Sequence, residues 1–90
     1  MAQRLDTCAR KGALSTSDLA AWFDLPYATV KCYRQGTQPQ TARREQIEQR
    51  LQWLERAVRT DGGLPVPLSV RASQRKAHLA GVLERVRRKR

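Results

Sequence analysis

Apolar residues recur along this chain at the spacing of amphipathic helices. The first stretch predicts a helix from about Ala2 to Lys11, which Gly12 is expected to end. The last stretch predicts a helix from about Ser69 to Arg88, after a segment whose prolines exclude a regular helix. The longest stretch, from about Gln40 to Thr60, carries one apolar stripe made of Ile47, Leu51, Trp53, Leu54, Ala57 and Val58.

Two shorter helices are predicted between the first and the longest. Ser15 followed by Asp18 is the pattern of a capping box, which begins a helix. Pro26 then interrupts the apolar period, because it lacks an amide hydrogen and disfavours helical geometry at the preceding residue. The same proline opens a further helix from Tyr27 to Gln35, which Gly36 closes. The sequence therefore predicts an all-α fold, a small bundle of about five helices with a long fourth helix and a basic C-terminal helix.

The charge of the chain is strongly unbalanced. It has 18 Lys and Arg against 8 Asp and Glu, which gives a net charge of +10. Such a balance attracts polyanions, and nucleic acid is the partner that it indicates. No apolar run approaches the roughly 20 residues that span a bilayer, and residues 1–12 lack the apolar stretch of a signal peptide. We therefore expect a cytoplasmic, nucleoid-associated protein with no membrane partner.

The sequence offers little for catalysis or metal binding. Cys8 and Cys32 are far apart and neither belongs to a Cys-x-x-Cys pair, so we expect ordinary reduced thiols. His78 has no companion His, Cys or carboxylate cluster that would make it a ligand or a catalyst. A Gly-rich phosphate loop and a Ser or Cys beside a His are also missing from the sequence. We expect no enzyme activity, no cofactor, no metal and no small-molecule ligand.

The segment from Thr16 to Gln35 carries the pattern of two short helices that cross at a steep angle. Such a crossing needs an apolar seam and a small residue at the point of contact. Ala20 supplies the small residue, and Asp24 lies at the turn, where left-handed geometry is often required. Trp22 cannot fully share this seam and is expected to face the first helix or a second subunit. The apolar places of the seam are filled by Leu19, Phe23, Leu25, Val30 and Tyr33.

Over this segment the chain resembles the helix-turn-helix family of DNA-binding proteins, particularly the small regulators and packaging proteins of phages and mobile elements. The family usually has Gly where this chain has Asp24. The resemblance implies that the second helix of the pair lies in the major groove of DNA. Lys31 is then placed to donate to guanine, Gln35 to pair with adenine, and Ala28 to touch a thymine methyl group. The residues implied to contact DNA are Tyr27, Ala28, Thr29, Lys31, Cys32, Arg34 and Gln35.

Contacts to the phosphate backbone are expected from several basic residues. Among the implied residues, Thr29 and Arg34 are more suited to phosphate than to bases. Arg43 and Arg44 begin the long helix, where a positive pair opposes the helix dipole and so indicates an external anion. The basic C-terminal tail suits sequence-independent contact. The candidates for backbone contact outside the helix pair are Arg43, Arg44, Arg87, Arg88, Lys89 and Arg90.

We expect one domain, in which residues 1–63 hold the helix-turn-helix core with the long helix. Residues 64–90 are expected to supply a proline-containing linker and the basic C-terminal helix, packed on the same domain. The expected function is sequence-specific binding of double-stranded DNA by a homo-oligomer, foremost as a transcriptional regulator of a phage or mobile element in a bacterial host. A phage small terminase subunit, which assembles into a ring, is the alternative. A basic protein-interaction module or inhibitor directed at an acidic partner is the third interpretation.

Overall fold

The computed structural model describes residues 2–60, 64, 66–67 and 69–88. Throughout these ranges the regular structure is helical, which confirms the predicted all-α fold with its long fourth helix and basic C-terminal helix. Within the described part of the chain, no helix combines the length and the apolar character that crossing a bilayer requires. The helices are α1 (Ala2–Gly12), α2 (Thr16–Phe23), α3 (Tyr27–Arg34), α4 (Thr41–Thr60) and α5 (Arg75–Arg88), with a 3₁₀ turn (Ala72–Gln74) before α5.

The end of α1 differs from the sequence prediction. Gly12 is the last residue of the helix, and the left-handed residue that turns the chain is Ala13, with φ 52°. The Leu14 N–H then donates to the Ala9 carbonyl over 2.8 Å, which closes the helix end. Gly12 is buried beside α4, where an added Cβ would lie 3.1 Å from Cγ1 of Val58. This glycine therefore permits the close approach of two helices, whereas the turn belongs to the next residue.

Both ends of α2 follow the sequence pattern. The Ser15 hydroxyl accepts from the Asp18 N–H over 3.1 Å, and the Asp18 carboxylate accepts from the Ser15 N–H over 2.9 Å, so the predicted capping box is confirmed. At the other end Asp24 adopts the left-handed conformation, with φ 54° and ψ 48°. The Leu25 N–H donates back to the Ala20 carbonyl over 3.0 Å, which closes the turn.

The next helix, α3, is flanked by a proline before it and a glycine after it. Pro26 is the extended N-cap residue immediately before the helix, and so lies one position earlier than the first helical place. Arg34 is the last helical residue, one short of the predicted end. Gly36 then takes φ 111°, and the Thr37 N–H donates to the Cys32 carbonyl over 3.0 Å. Gly36 therefore ends α3 as predicted, because its left-handed backbone is unstrained only for glycine.

The last helix starts later than the sequence predicted. The Val70 N–H donates to the Pro67 carbonyl over 3.0 Å, which makes a turn, and Arg71 is extended with φ −68° and ψ 152°. Helical geometry is therefore possible only from the 3₁₀ turn onward. Within α5, Val82 is fully buried, while the adjacent Leu83 is only partly buried.

One apolar core joins α1 to α5. In it α4 packs against α1, α2 and α5, while α3 packs against α1 and α2. Trp22 of α2 is directed at α4, where its Nε1–H donates to the Arg50 carbonyl over 3.0 Å and the Arg50 guanidinium donates to the Trp22 carbonyl over 2.8 Å. The sequence favoured α1 or a second subunit for this tryptophan, whereas its hydrogen bonds join it to α4. The largest fully buried side chains are Leu5, Cys8, Leu19, Trp22, Val30, Leu51, Leu54, Leu79, Val82 and Val86.

Candidate nucleic-acid interface

One face of α3 fixes this helix to the bundle. Val30 and Tyr33 are buried, with 1% and 8% of their surface exposed. They meet Leu5, Phe23 and Ile47, which come from α1, α2 and α4. The position of α3 is therefore set by apolar packing against the rest of the core, and its opposite face is left to solvent.

The outward face of α3 is polar apart from its first residues. Tyr27, Lys31 and Gln35 follow one another at intervals of about one helical turn along the exposed side. Tyr27 is 54% exposed, and among the described residues it is the large apolar side chain that the fold leaves uncovered. The residues predicted to contact DNA divide into an exposed set, Tyr27, Ala28, Lys31, Cys32 and Gln35, and a partly buried pair, Thr29 and Arg34.

Arg34 is engaged inside the molecule. Its Nε and Nη2 donate to Oδ1 of Asp6 over 3.1 and 2.8 Å, and its Nη1 donates to the Thr16 hydroxyl over 2.9 Å. These bonds tie the C-terminal end of α3 to α1 and to the first residue of α2. The structure therefore gives Arg34 an anchoring role, while its contact with phosphate stays a prediction.

A shallow groove lies beside the beginning of α3, between the turn at Asp24 and α5. Lys76 of α5 lines this groove together with Tyr27. The preceding residue, Arg75, is fixed by two hydrogen bonds to Asp18, from Nε to Oδ1 over 3.0 Å and from Nη2 to Oδ2 over 2.6 Å. Burial by itself would raise the pKa of Asp18, but the bonds from Arg75 and from the helix cap outweigh it and lower the pKa. An ionised pair therefore holds α5 on α2 directly next to Lys76.

Arg43 lies on another side of α3, away from the groove of Lys76. It borders an opening with Thr29 and Cys32, and a second opening with Pro26 at the start of the helix. Its side chain is exposed, as is that of the adjacent Arg44. The first turn of α4 thus brings the predicted backbone candidate Arg43 next to the predicted reading helix.

The C-terminal candidates lie elsewhere. Arg87 stacks over the Trp53 ring, with its guanidinium carbon 5.9 Å from the ring centre, and lies 3.5 Å from a Glu84 oxygen. Arg88 lies 3.6 Å from the same carboxylate. Both guanidinium groups are well exposed, so these contacts are weak. Two further backbone candidates, Lys89 and Arg90, fall outside the described residues.

The excess of positive charge is carried by exposed side chains. Within the described ranges, Lys31, Arg43 and Lys76 take part in no salt bridge. Most carboxylates of these ranges are instead paired with arginines that join one helix to another or brace α5. The carboxylates paired in this way are Asp6, Asp18, Glu48, Glu55 and Glu84.

Sequence reasoning did not select Lys76 as a contact residue. It belongs to a helix far along the chain, where the sequence indicates a charged face shared with Arg71 and Arg75 but no particular contact. Only the packing of α5 on α2 brings it to the groove beside Tyr27. The position of Lys76 follows from that of Arg75, which is known only once its bonds to Asp18 are known.

The chain was compared with protein families, curated proteins and solved structures. It matches no protein-family model and no curated protein, and no solved structure matches its fold. Its function must therefore be inferred from its own side chains and their arrangement.

Proposed function

We propose that this chain binds double-stranded DNA sequence-specifically by placing the exposed face of α3 in the major groove. The observation that carries the proposal is that one side of α3 is buried and the other is exposed. Val30 and Tyr33 are buried, while Lys31 and Gln35 project into solvent. A left-handed turn at Asp24 connects α2 to α3, which supports the helix-turn-helix interpretation because its turn often takes this conformation. The net charge of +10 supports a polyanionic partner.

The dimensions and chemistry of α3 suit this role. An α-helix with its side chains is about 10–12 Å across, and the major groove of B-DNA is about 12 Å wide. In the groove Lys31 donates to N7 or O6 of guanine, and Gln35 makes a paired contact with adenine. Ala28 contacts a thymine methyl group, and the small side chain of Cys32 permits the helix to approach the bases closely. Tyr27 lies at the helix start, where it meets a base or a phosphate.

Within this class we propose a transcriptional regulator that acts on DNA in the bacterial nucleoid. Such a protein binds as a dimer to two half-sites whose centres are about 34 Å apart, one turn of DNA. Light scattering of the chain alone and with a selected duplex tests the stoichiometry. A dimer on two half-sites supports the regulator, whereas a closed ring would replace it with a DNA-packaging role and leave the DNA-binding proposal in place.

Lys31→Ala tests the reading role of α3. Random duplexes are first enriched for binding to the unaltered chain, and affinities are then measured for the enriched site and for a scrambled duplex. We expect the variant to lose about 1–3 kcal/mol on the enriched site and far less on the scrambled one, because a base contact carries sequence information.

Lys11→Ala is the matched control. Lys11 is an exposed lysine at the end of α1, so its removal changes the net charge equally without touching α3. It should lower both affinities slightly and alike. Failure of the unaltered chain to prefer any duplex, or an equal loss by Lys31→Ala on both duplexes, would refute the proposal.

A further inference from the structure

We propose that Lys76 and Arg43 form a two-sided phosphate clamp, in which each contacts one of the two DNA strands that border α3. The inference rests on the proposed function and adds to it a residue of α5 that lies outside the helix pair. The clamp consists of two exposed cations that come from different helices and meet opposite edges of α3.

The two cations reach α3 on different edges of its outward face. Lys76 lines its groove with Tyr27, and Arg43 lines its own with Thr29. In an α-helix, residues two positions apart point about 160° away from each other. The exposed surface of α3 that carries Lys31 lies between them.

The geometry matches a duplex whose major groove holds α3. The phosphates of the two strands form the walls of that groove, so one row of phosphates passes each edge of an inserted helix. A single cation on each edge neutralises one phosphate on each strand and fixes how the helix is centred in the groove. Asp24 borders the groove of Lys76 and also the opening that Arg43 lines with Pro26, and the two cations offset its repulsion of phosphate.

The backbone that carries each cation is held in place by hydrogen bonds. Lys76 follows Arg75, whose two bonds to the buried Asp18 hold the first turn of α5 on α2. Arg43 lies in the first turn of α4, and its backbone N–H donates to the Gln40 carbonyl over 2.9 Å. Both side chains therefore start from backbone that is already ordered, which reduces the conformational entropy lost on contact.

The test measures how the binding constant depends on salt. For the unaltered chain and for Lys76→Ala, Arg43→Ala and the double variant, log K is plotted against log salt concentration, on the enriched and the scrambled duplex. Each single change should reduce the slope by about 0.9, and the double change by about 1.8, on both duplexes alike. The order of preference among duplexes should be retained, because phosphate contacts carry no base information.

Two controls separate the clamp from bulk charge. Arg85→Ala removes an exposed cation about two and a half turns beyond Lys76, on the opposite side of α5. Arg59→Ala removes one about four and a half turns beyond Arg43, on nearly the opposite side of α4. Neither should reduce the slope by a full contact. Unchanged thermal unfolding of all five variants confirms that they fold.

The possible results distinguish the clamp from the proposed function. A slope that stays unchanged in Lys76→Ala or in Arg43→Ala, with site preference retained, overturns the clamp alone. Equal slope changes in Arg85→Ala and Lys76→Ala also overturn it, since any cation would then serve. Absence of DNA binding by the unaltered chain overturns both the clamp and the function on which it rests.

Discussion

Three helix ends in the described part of the chain depend on a residue with a left-handed backbone. These residues are Ala13, Asp24 and Gly36, with φ of 52°, 54° and 111°. Glycine adopts this conformation without strain and aspartate tolerates it, whereas alanine has no compensating side-chain bond. The sequence indicated the turns at Asp24 and Gly36, but at α1 the nearby Gly12 suggested a stop one residue too early. Gly12 is instead needed because a side chain at this position would crowd Val58 of α4. That contact joins residues far apart in the chain, so no local pattern reveals it.

Ala13→Gly should stabilise the protein. The substitution relieves the steric cost of the left-handed alanine, and part of that gain is offset by the greater freedom of glycine in the unfolded chain. We expect the free energy of unfolding to rise by about 0.5–1 kcal/mol, measured by urea denaturation.

Ala80→Gly is the matched control for this change. Ala80 is an exposed alanine within α5, where glycine should lower the free energy of unfolding by up to about 1 kcal/mol. A loss of stability in both variants would show that Ala13 is not left-handed in solution.

At the scale of elements, one charged pair links α5 to α2, the helix that packs against α3. Asp18 caps α2 through the Ser15 N–H and at the same time accepts two bonds from Arg75 of α5. The sequence identified its capping role because Ser15 lies three residues away. Its second partner lies 57 positions away, so only the packing of α5 on α2 selects it. The same packing places Lys76 beside Tyr27 at the start of α3.

Asp18→Asn should destabilise the fold and change its response to acid. The pKa of Asp18 is lowered in the folded protein, so the ionised carboxylate stabilises the fold above its unfolded pKa of about 4, and this contribution is lost as pH falls through the lower folded pKa. The asparagine variant should lose about 2–3 kcal/mol near neutral pH, because Arg75 loses its charged acceptor. Its stability should also fall less steeply below about pH 4.

Asp24→Asn provides the comparison for this measurement. Asp24 is exposed and left-handed, a conformation that asparagine also tolerates. Urea denaturation across a pH series should find this variant close to the unaltered chain. Equal effects of the two substitutions would contradict the role of the Asp18 and Arg75 pair.

At the scale of the whole molecule, two features organise the described residues: a single apolar core, and the pairing of most carboxylates with arginines. The apolar side chains of α1 to α5 form a single cluster, and most described carboxylates are paired with arginines. Exposed cations are therefore left to give the surface its positive potential. The two cysteines probe the inside and the outside of this core, since Cys8 is buried in it and Cys32 is exposed on α3.

The two thiols should react at very different rates. Burial raises the pKa of Cys8 to about 11, so at pH 8 this thiol is both covered and protonated. With an aromatic disulfide reagent we expect one fast equivalent from Cys32 and a second that appears only as the core unfolds. Bound DNA of the enriched sequence should slow the fast reaction, because Cys32 lies on the face proposed to enter the groove.

Cys32→Ser assigns the fast phase, which should disappear in that variant. Two thiols reacting equally fast in the folded protein would contradict the position of Cys8 in the core. A fast phase that enriched DNA leaves unchanged would contradict the proposed orientation of α3.

The sequence alone determined the helical character of this protein, the capping box, the turns at Asp24 and Gly36, and the stripe that α4 buries. These features depend on residues within one or two turns of each other, so their spacing along the chain is sufficient to predict them. The helix-turn-helix interpretation and its DNA contacts stay predictions. The tertiary structure decided the remainder: Trp22 against α4, Arg34 on Asp6, Arg75 on Asp18, and Lys76 and Arg43 beside α3. Such pairings join residues far apart in the chain, and their distances are fixed only when the shared core brings the helices together.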